Sequence, residues 1–128
     1  MYKSYLSYDE YIERDGNTLP SGNEEECLKR ASRHIDSLTY NRIHKIGYEN
    51  LTEFQKEILR EVTLNLAIFE YENEDILSTA IDVYSINGVS MNFNSSGWNI
   101  VVQGGVAIKS TDYNLLGQTG LTTANLRI

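Results

Sequence analysis

Two histidines and one cysteine are the side chains of this sequence best suited to metal binding or nucleophilic chemistry. His34 and His44 lie ten positions apart on one predicted helix, so their rings point in different directions and do not form a ready pair of zinc ligands. Neither belongs to an HExxH motif, and we expect both to face solvent or to cap helix ends. Cys27 lies on the apolar stripe of the same predicted helix, which favours a small core residue over an activated thiolate. These three residues therefore predict no metal site and no nucleophile.

The carboxylates, serines and glycines carry no catalytic motif either. Glu70, Glu74 and Asp75 gather at the end of a predicted helix as a charged face, whereas acid–base catalysis needs paired carboxylates inside a pocket. No serine lies in a Gly-x-Ser-x-Gly elbow, and Gly104-Gly105 lacks the lysine and the spacing of a phosphate-binding loop. The sequence thus predicts a protein without enzymatic activity and without a cofactor.

The chain of 128 residues has a formal net charge of −7. Binding to nucleic acid phosphates needs clustered Lys and Arg, so specific binding to DNA or RNA is not expected. A single cysteine excludes an intrachain disulfide. No apolar run reaches the roughly 18 residues that a membrane-spanning helix needs, and the opening MYKSYLSYDEY lacks the apolar core of a signal peptide. We therefore expect no membrane partner, and a protein kept in the cytoplasm or assembled there into something larger.

Residues 1–22 are interpreted as the N-terminal arm and loop of a single domain that covers residues 1–128. Tyrosine recurs at every third position, at Tyr2, Tyr5, Tyr8 and Tyr11, a spacing that places the rings along one side of a short helix. These rings either cover the surface of the domain or pack on a neighbouring copy.

A long helix is expected to begin after Ser21 or Asn23 and to run to about Ile46. Its apolar residues fall mostly three or four positions apart, which is the spacing of one buried stripe. Gly47 then ends the helix, because glycine readily adopts the backbone conformation of a helix terminus.

A second long helix opens with a capping box, in which the side chains of Thr52 and Gln55 each accept a bond from an exposed backbone donor. The body of this helix, EFQKEILREVTLNLAIFEYEN (53–73), is apolar over most of its girth. One wide apolar face is formed by Phe54, Ile58, Leu59, Val62, Leu66 and Phe69. Such a helix is expected at the centre of the protein, covered from several sides.

The stretch VYSINGVSMNF (83–93) predicts a β-hairpin, because Asn87 and Gly88 favour a two-residue turn. The register implied by this turn pairs Ile86 with Val89, Tyr84 with Met91, and Asp82 with Phe93. The large apolar side chains then share one face, which must rest on helices because two strands alone are only marginally stable in water. Residues 100–102 (IVV) either extend this sheet or pack as a buried run.

A last helix is expected to start near Ser110 or Thr111 and to stop at Gly120, with Leu121 as its hydrophobic clasp. The remaining residues 122–128 (TTANLRI) are interpreted as an extended C-terminal tail. Together, these elements predict a mainly α fold with a small β-hairpin, a compact helical bundle from which the hairpin protrudes.

The order of the elements resembles that of the head–tail connector proteins, or neck adaptors, of tailed bacteriophages and related prophages. The motifs that carry the resemblance are a Tyr-rich start, TYNRI (39–43), the hairpin SINGVSMNF (85–93), LLGQTGL (115–121) and a short tail containing Arg127. The resemblance extends from about Tyr5 to Ile128. One departure is Thr122-Thr123-Ala124, where members of the family often carry a bulky or basic residue.

This resemblance implies a structural virion protein without catalysis, located in the neck of the virion and assembled in the host cytoplasm. Such proteins form a homo-oligomeric ring, commonly of twelve copies, between the portal protein and the stopper or tail-completion protein. The ring extends the DNA channel, and an acidic chain suits a channel through which DNA slides without specific binding.

Two segments are expected to make the contacts of such a ring. The residues expected at the portal interface are Leu121, Thr122, Thr123, Asn125, Leu126, Arg127 and Ile128. The residues expected to contact a neighbouring subunit or the stopper are Ile86, Asn87, Gly88 and Val89.

Two other classes of function stay open. The small size and the negative charge also permit a small acidic regulatory or binding module of bacterial or prophage origin, which would occupy a basic surface of its partner. A hydrolase that uses His34 or His44 together with a carboxylate is the third hypothesis.

Overall fold

Helices packed against a three-stranded antiparallel sheet form the part of the chain that the computed structural model describes. This part covers residues 3–74, 77, 89–93, 98–103 and 105–122, with the backbone alone at 89–93 and 98. The protein is mostly helical, which confirms the predicted fold class of a mainly α protein with a small antiparallel sheet. The first strand and turn of the predicted hairpin, residues 82–88, and the tail residues 123–128 lie outside the described residues.

The N-terminal segment is part of the core. Helix α1 spans Tyr8–Arg14 and begins at a capping box formed by Ser7 and Glu10. Tyr5 and Tyr11 are 8% and 0% exposed, whereas Tyr8 is 41% exposed. The interpretation of these tyrosines as a cover on the surface or on another copy is therefore wrong for Tyr5 and Tyr11, because both rings are buried within their own chain.

The predicted helix from residue 23 to residue 46 is divided in two. Helix α2 spans Glu24–Leu38, follows Asn23 without a side-chain cap, and is separated from helix α3, Arg42–Ile46, by a turn. Tyr40 and Asn41 adopt left-handed backbone conformations there, with φ of 56° and 59°. An α-helix cannot continue through two such residues, so the prediction of one continuous helix is wrong. Gly47 ends α3 as predicted, and a short 3₁₀-helix, Tyr48–Asn50, follows.

Helix α4 spans Glu53–Glu72 and occupies the centre of the described fold. Thr52 and Gln55 form the predicted capping box at its start. The helix contacts α2 on one side and the C-terminal helix and the sheet on others, which confirms the prediction of a central helix. Phe54 was expected on the wide apolar face of this helix, but it is 58% exposed, so the prediction is wrong for this residue.

The sheet has the order β1-β2-β3, where β1 is Val89–Phe93, β2 is Trp98–Gln103 and β3 is Val106–Lys109. Strand β2 pairs antiparallel with both neighbours. Residues 100–102 therefore extend the sheet, as one of the two predictions has it, and all three are also buried. Strand β3 was not predicted, and its residues 106–108 are all buried, so they show no alternation of apolar and polar residues.

Helix α5 spans Ser110–Gly117 and begins where the sequence predicts it. A turn of residues 118–120 follows, in which Gly120 has a φ of 78° and Leu121 is 2% exposed. Gly120 and Leu121 therefore have the left-handed backbone and the buried side chain that the sequence predicts, but the regular helix ends three residues before Gly120, at Gly117. None of the helices in the described part of the chain is long and apolar enough to span a membrane.

Candidate functional site at the root of the C-terminal segment

The backbone of the segment that follows α5 is fixed to two distant parts of the chain. We call residues Thr119–Thr122 the tail root. Arg42, the first residue of α3, donates a hydrogen bond of 3.0 Å from Nη1 to the carbonyl oxygen of Leu121. Gln55, in the first turn of α4, donates a hydrogen bond of 3.0 Å from Nε2 to the carbonyl oxygen of Thr119. The tail root thus connects the starts of α3 and α4 to the end of α5.

Local hydrogen bonds close the turn within the tail root itself. The hydroxyl of Thr119 donates to the carbonyl oxygen of Leu116 at 2.7 Å and accepts a bond of 3.2 Å from the amide of Leu121. The amide of Gly120 donates to the carbonyl oxygen of Gly117 at 3.0 Å. With the side chain of Leu121 in the core, the tail root is held by both apolar packing and polar contacts.

Two tyrosines and a glutamine lie beside the tail root. Gln103, the last residue of β2, donates from Nε2 to the hydroxyl of Tyr40 at 3.0 Å, and its Oε1 accepts from the hydroxyl of Tyr113 at 3.2 Å. Burial raises the pKa of Tyr113, Tyr40 adds to the rise, and hydrogen bonds of the Tyr113 side chain to Thr122 and Gln103 act in the opposite direction. The guanidinium carbon of Arg42 lies 4.9 Å from the centroid of the Tyr40 ring.

The position of Tyr40 depends on an unfavourable backbone conformation. Asparagine tolerates the left-handed region, but tyrosine adopts it rarely, so the turn stores strain of about 1 kcal/mol at Tyr40. The amide of Asn41 donates to the carbonyl oxygen of Asp36 at 2.8 Å, and the amide of Arg42 donates to that of Thr39 at 3.0 Å. These bonds stabilise the turn. The turn then fixes the backbone positions of Tyr40, which is 47% exposed, and of Arg42.

The structure separates the predicted contact residues into several groups. Leu121 was expected at a portal interface but is buried in the core of its own chain, so its side chain anchors the tail root instead of meeting a partner. Thr122 is half-buried beside it, and Val89 is the first residue of β1, where it pairs with Val102. The remaining predicted contact residues lie outside the described residues: Ile86, Asn87, Gly88, Thr123, Asn125, Leu126, Arg127 and Ile128.

Sequence reasoning missed Arg42, Gln55, Tyr40 and Gln103 as parts of this site. Tyr40 and Arg42 belong to the TYNRI motif, and Gln55 was interpreted only as part of a helix cap. No local pattern links them to the tail root, because 79 and 64 positions separate the two ends of the hydrogen bonds of Arg42 and Gln55.

Each histidine contacts a carboxylate on a different helix. Nδ1 of His34 bonds Oε2 of Glu70, and Nε2 of His44 lies 3.0 Å from Oδ2 of Asp36. His44 faces solvent as predicted, since its side chain is 52% exposed in the last turn of α3. His34 is half-buried, with 34% of its side chain exposed, and the sequence did not predict its contact with Glu70. Within the described residues, no group of three or more His, Cys, Asp or Glu side chains could hold a metal ion. Cys27 is buried in the core, as predicted.

His44 lines a groove of about 750 Å³ between the N-terminal segment and the 3₁₀-helix. Tyr5 and Tyr48 stack in its wall, with ring centroids 5.6 Å apart. The groove also contains Ser4 and Ser7, whose hydroxyls bond main-chain groups: that of Ser4 donates to the carbonyl of Leu6, and that of Ser7 accepts from the amide of Glu10 at 3.2 Å. Each histidine thus has the carboxylate that the hypothesis of a hydrolase requires, and that hypothesis stays a prediction.

Comparison with known proteins finds no matching family model, no matching curated protein and no matching solved structure. A proposal of function for this chain therefore depends on its own residues and their contacts. Among these contacts, those of the tail root link three helices, α3, α4 and α5.

Proposed function

We propose that this chain is a structural subunit of the neck of a tailed bacteriophage. In this role, several copies form a ring between the portal protein and the stopper or tail-completion protein, and the ring extends the DNA channel. The anchored tail root carries the proposal. It gives the last residues of the sequence a fixed starting point on the domain, from which they contact the portal protein.

An anchored root favours binding through the segment that follows it. A segment that must be ordered on binding loses conformational entropy, and a fixed starting point reduces the number of arrangements that are lost. Tyr40 is exposed beside the tail root, where its ring contacts the Arg42 side chain that bonds Leu121. Tyrosine and arginine are the residue types that most often dominate the binding energy of protein interfaces, so this end of the domain suits a protein partner.

The negative net charge of the domain suits the lining of a channel through which DNA passes without tight binding. The chain has a net charge of −7. Two of its arginines form ion pairs with glutamates, Arg14 with Glu57 at 2.9 Å and Arg60 with Glu10 at 3.2 Å. Pairing with carboxylates makes these cations less available to phosphate groups, which supports a channel without tight DNA contacts.

The proposal divides the contacts between two segments. Residues 122–128 bind the portal protein, and the hairpin around Asn87 and Gly88 contacts a neighbouring subunit or the stopper. Ring formation needs a surface patch that fits a different patch on the next copy and closes by rotation. A hairpin with an apolar face suits such a patch.

Mixing the chain with the portal protein encoded in the same genome, followed by electron microscopy, tests the proposal. We expect added density in the form of a ring on one end of the portal. A chain that lacks residues 122–128 should remain folded by circular dichroism but add no such density. Normal assembly of the shortened chain onto portal rings would contradict the role of the tail, and no binding by the full chain would contradict the proposed function.

A small acidic binding module is a second candidate, favoured by one described feature. A groove of about 420 Å³ is lined by Tyr8 and by the consecutive glutamates Glu24, Glu25 and Glu26 at the start of α2. Negative charge beside an exposed ring suits a basic protein surface. Portal, protease and capsid genes next to the gene for this chain would favour the neck subunit, and their absence would favour the binding module.

A further inference from the structure

We infer that Arg42 and Gln55 are positioning residues that fix the direction in which the segment after Thr122 leaves the domain, and that they support partner binding in this way rather than through the stability of the fold. The part of this inference that concerns binding rests on the proposed function. The part that concerns the tail root rests on the contacts of the described residues alone.

Both donors bond main-chain oxygens. Arg42 bonds the carbonyl oxygen of Leu121, and Gln55 bonds that of Thr119. The two oxygens lie two residues apart along the chain, so the two bonds fix two points of the backbone path and hence its direction. A bond to a carbonyl group is also independent of the side chain that the residue carries.

Gln55 is held in place before it reaches the tail root. The side-chain oxygen Oε1 of Gln55 accepts a bond of 2.9 Å from the backbone amide of Thr52. The backbone amide of Gln55 donates to the hydroxyl of Thr52 at 3.1 Å. The capping box therefore uses the oxygen of the Gln55 side chain and leaves the Nε2 group to donate to Thr119. Gln55→Glu would keep the oxygen that forms the cap, replace the donor to Thr119 with a second acceptor, and add a negative charge.

Arg42 is held by the turn that precedes it. Its amide bonds the carbonyl oxygen of Thr39 at 3.0 Å, and its guanidinium group lies over the ring of Tyr40. The planar guanidinium group can contact the ring face and donate to Leu121 at the same time, which the ammonium group of a lysine does less well. The strained turn thus fixes the backbone position from which the Arg42 side chain extends to Leu121.

The stability of the fold depends mainly on other groups. The core around α4 contains fully buried side chains such as Leu59, Leu66 and Leu116, whereas Arg42 and Gln55 are only half-buried. A hydrogen bond between partly exposed groups contributes little to the net stability of a protein. Removal of either donor should therefore take away a large share of the stability of the tail root and only a small share of the stability of the whole fold.

Hydrogen exchange of the tail-root amides tests this positioning role in the isolated full chain. The amides of Thr119, Gly120 and Leu121 each donate a hydrogen bond and should exchange slowly in the wild type. We expect Arg42→Met and Gln55→Glu to raise their exchange rates by about two- to tenfold, which is the range set by the loss of one such bond. Arg42→Lys should fall between the wild type and Arg42→Met.

Matched controls separate the loss of the donors from the change of charge. Lys45→Met removes a positive charge from the same helix as Arg42, and Gln118→Glu adds a negative charge at an exposed position next to the tail root. Both controls should leave the exchange rates within about twofold of the wild type, since neither removes a bond to the tail root. Unchanged exchange in both Arg42→Met and Gln55→Glu would overturn the positioning role.

Binding to portal rings tests the consequence for partner binding. Arg42→Met and Gln55→Glu should bind about tenfold more weakly than the wild type, while their Tm values fall by no more than about 6 °C, which is the size of change that the loss of one hydrogen bond produces. Faster exchange with unchanged portal binding would overturn the link between the tail root and binding. If the wild-type chain itself fails to bind the portal, the proposed function fails, and the exchange rates still decide whether Arg42 and Gln55 position the tail root.

Discussion

Nδ2 of Asn65 donates a hydrogen bond of 3.0 Å to Oδ1 of Asp112, and this contact joins the middle of α4 to the first turn of α5. The Asp112 side chain is buried, with 7% of the residue exposed. Burial raises the pKa of this carboxyl group above its ordinary value, while the bond from Asn65 and the charge of Lys109 act against the rise. Burial thus makes the charged form of Asp112 less favourable in the folded protein than in water.

This environment predicts how stability depends on pH. A carboxyl group with a raised pKa binds its proton more tightly in the folded state than in the unfolded state. Its contribution to stability is thus fully present below the unfolded pKa and is lost as the pH rises through the folded pKa. Asp112→Asn keeps an oxygen that accepts from Asn65 and removes the buried charge. We expect the Tm of this variant at neutral pH to exceed that of the wild type by about 2–5 °C.

Thermal unfolding followed by circular dichroism between about pH 4 and pH 8 measures this effect. The advantage of Asp112→Asn should shrink as the pH falls, because the wild-type carboxyl group becomes neutral. Glu13→Gln, which removes an exposed carboxylate of α1, is the matched control and should change the Tm by less than about 2 °C. A Tm of Asp112→Asn below that of the wild type at neutral pH would contradict the prediction.

The left-handed turn predicts an unusual order of stability among variants of Tyr40. Tyr40→Ala and Tyr40→Gly both lose the ring, its hydrogen bond with Gln103 and its contact with Arg42. Only glycine relieves the strain, so Tyr40→Gly should be more stable than Tyr40→Ala by about 1 kcal/mol. The free energy of unfolding in urea measures the difference.

The same pair of substitutions at an ordinary helical position should give the opposite order. Ser37 is exposed in α2, where glycine should be less stable than alanine by about 1 kcal/mol. If alanine were as stable as glycine at position 40, the backbone of Tyr40 would carry no strain.

The parts of the fold that sequence could predict are those that local patterns determine. The Thr52–Gln55 cap, the central position of α4 and the left-handed backbone of Gly120 each depend on residues within a few positions of one another. The break after α2 escaped prediction because tyrosine gives no local signal for a left-handed conformation. Strand β3 was not predicted from the sequence, because a short strand with buried residues on both faces lacks an alternating pattern of apolar and polar residues.

The candidate site was predictable only in part. Leu121 was identified as the clasp of the last helix, and its burial confirms that interpretation. The bonds that fix the tail root come from α3 and α4, which are far away in sequence, and such contacts depend on how the helices pack. Pairing of His44 with Asp36 was missed for a related reason, since the break between α2 and α3 redirects the second helix.

The contact of Tyr5 with α2 predicts that the N-terminal segment contributes to stability. The hydroxyl of Tyr5 bonds Oδ1 of the buried Asp36, and its amide donates to the hydroxyl of Ser32 at 3.0 Å. Tyr5→Phe should lower the free energy of unfolding by about 1–3 kcal/mol, because it removes a hydrogen bond to a buried carboxylate. Tyr8→Phe, at a 41%-exposed position, is the matched control and should change it by less than about 0.5 kcal/mol. Equal effects of the two substitutions would contradict the assignment of Tyr5 to the core.

Phenylalanines near the two ends of α4 should differ in how much stability they lose on the same substitution. Phe69 is 2% exposed, whereas Phe54 is 58% exposed. Phe69→Ala should lower the free energy of unfolding by about 3–5 kcal/mol, because it leaves a cavity in the core. Phe54→Ala should lower it by less than about 0.5 kcal/mol, because the ring buries little surface. Chemical denaturation of both variants gives the two values, and a loss above about 2 kcal/mol in Phe54→Ala would mean that this ring is buried in solution.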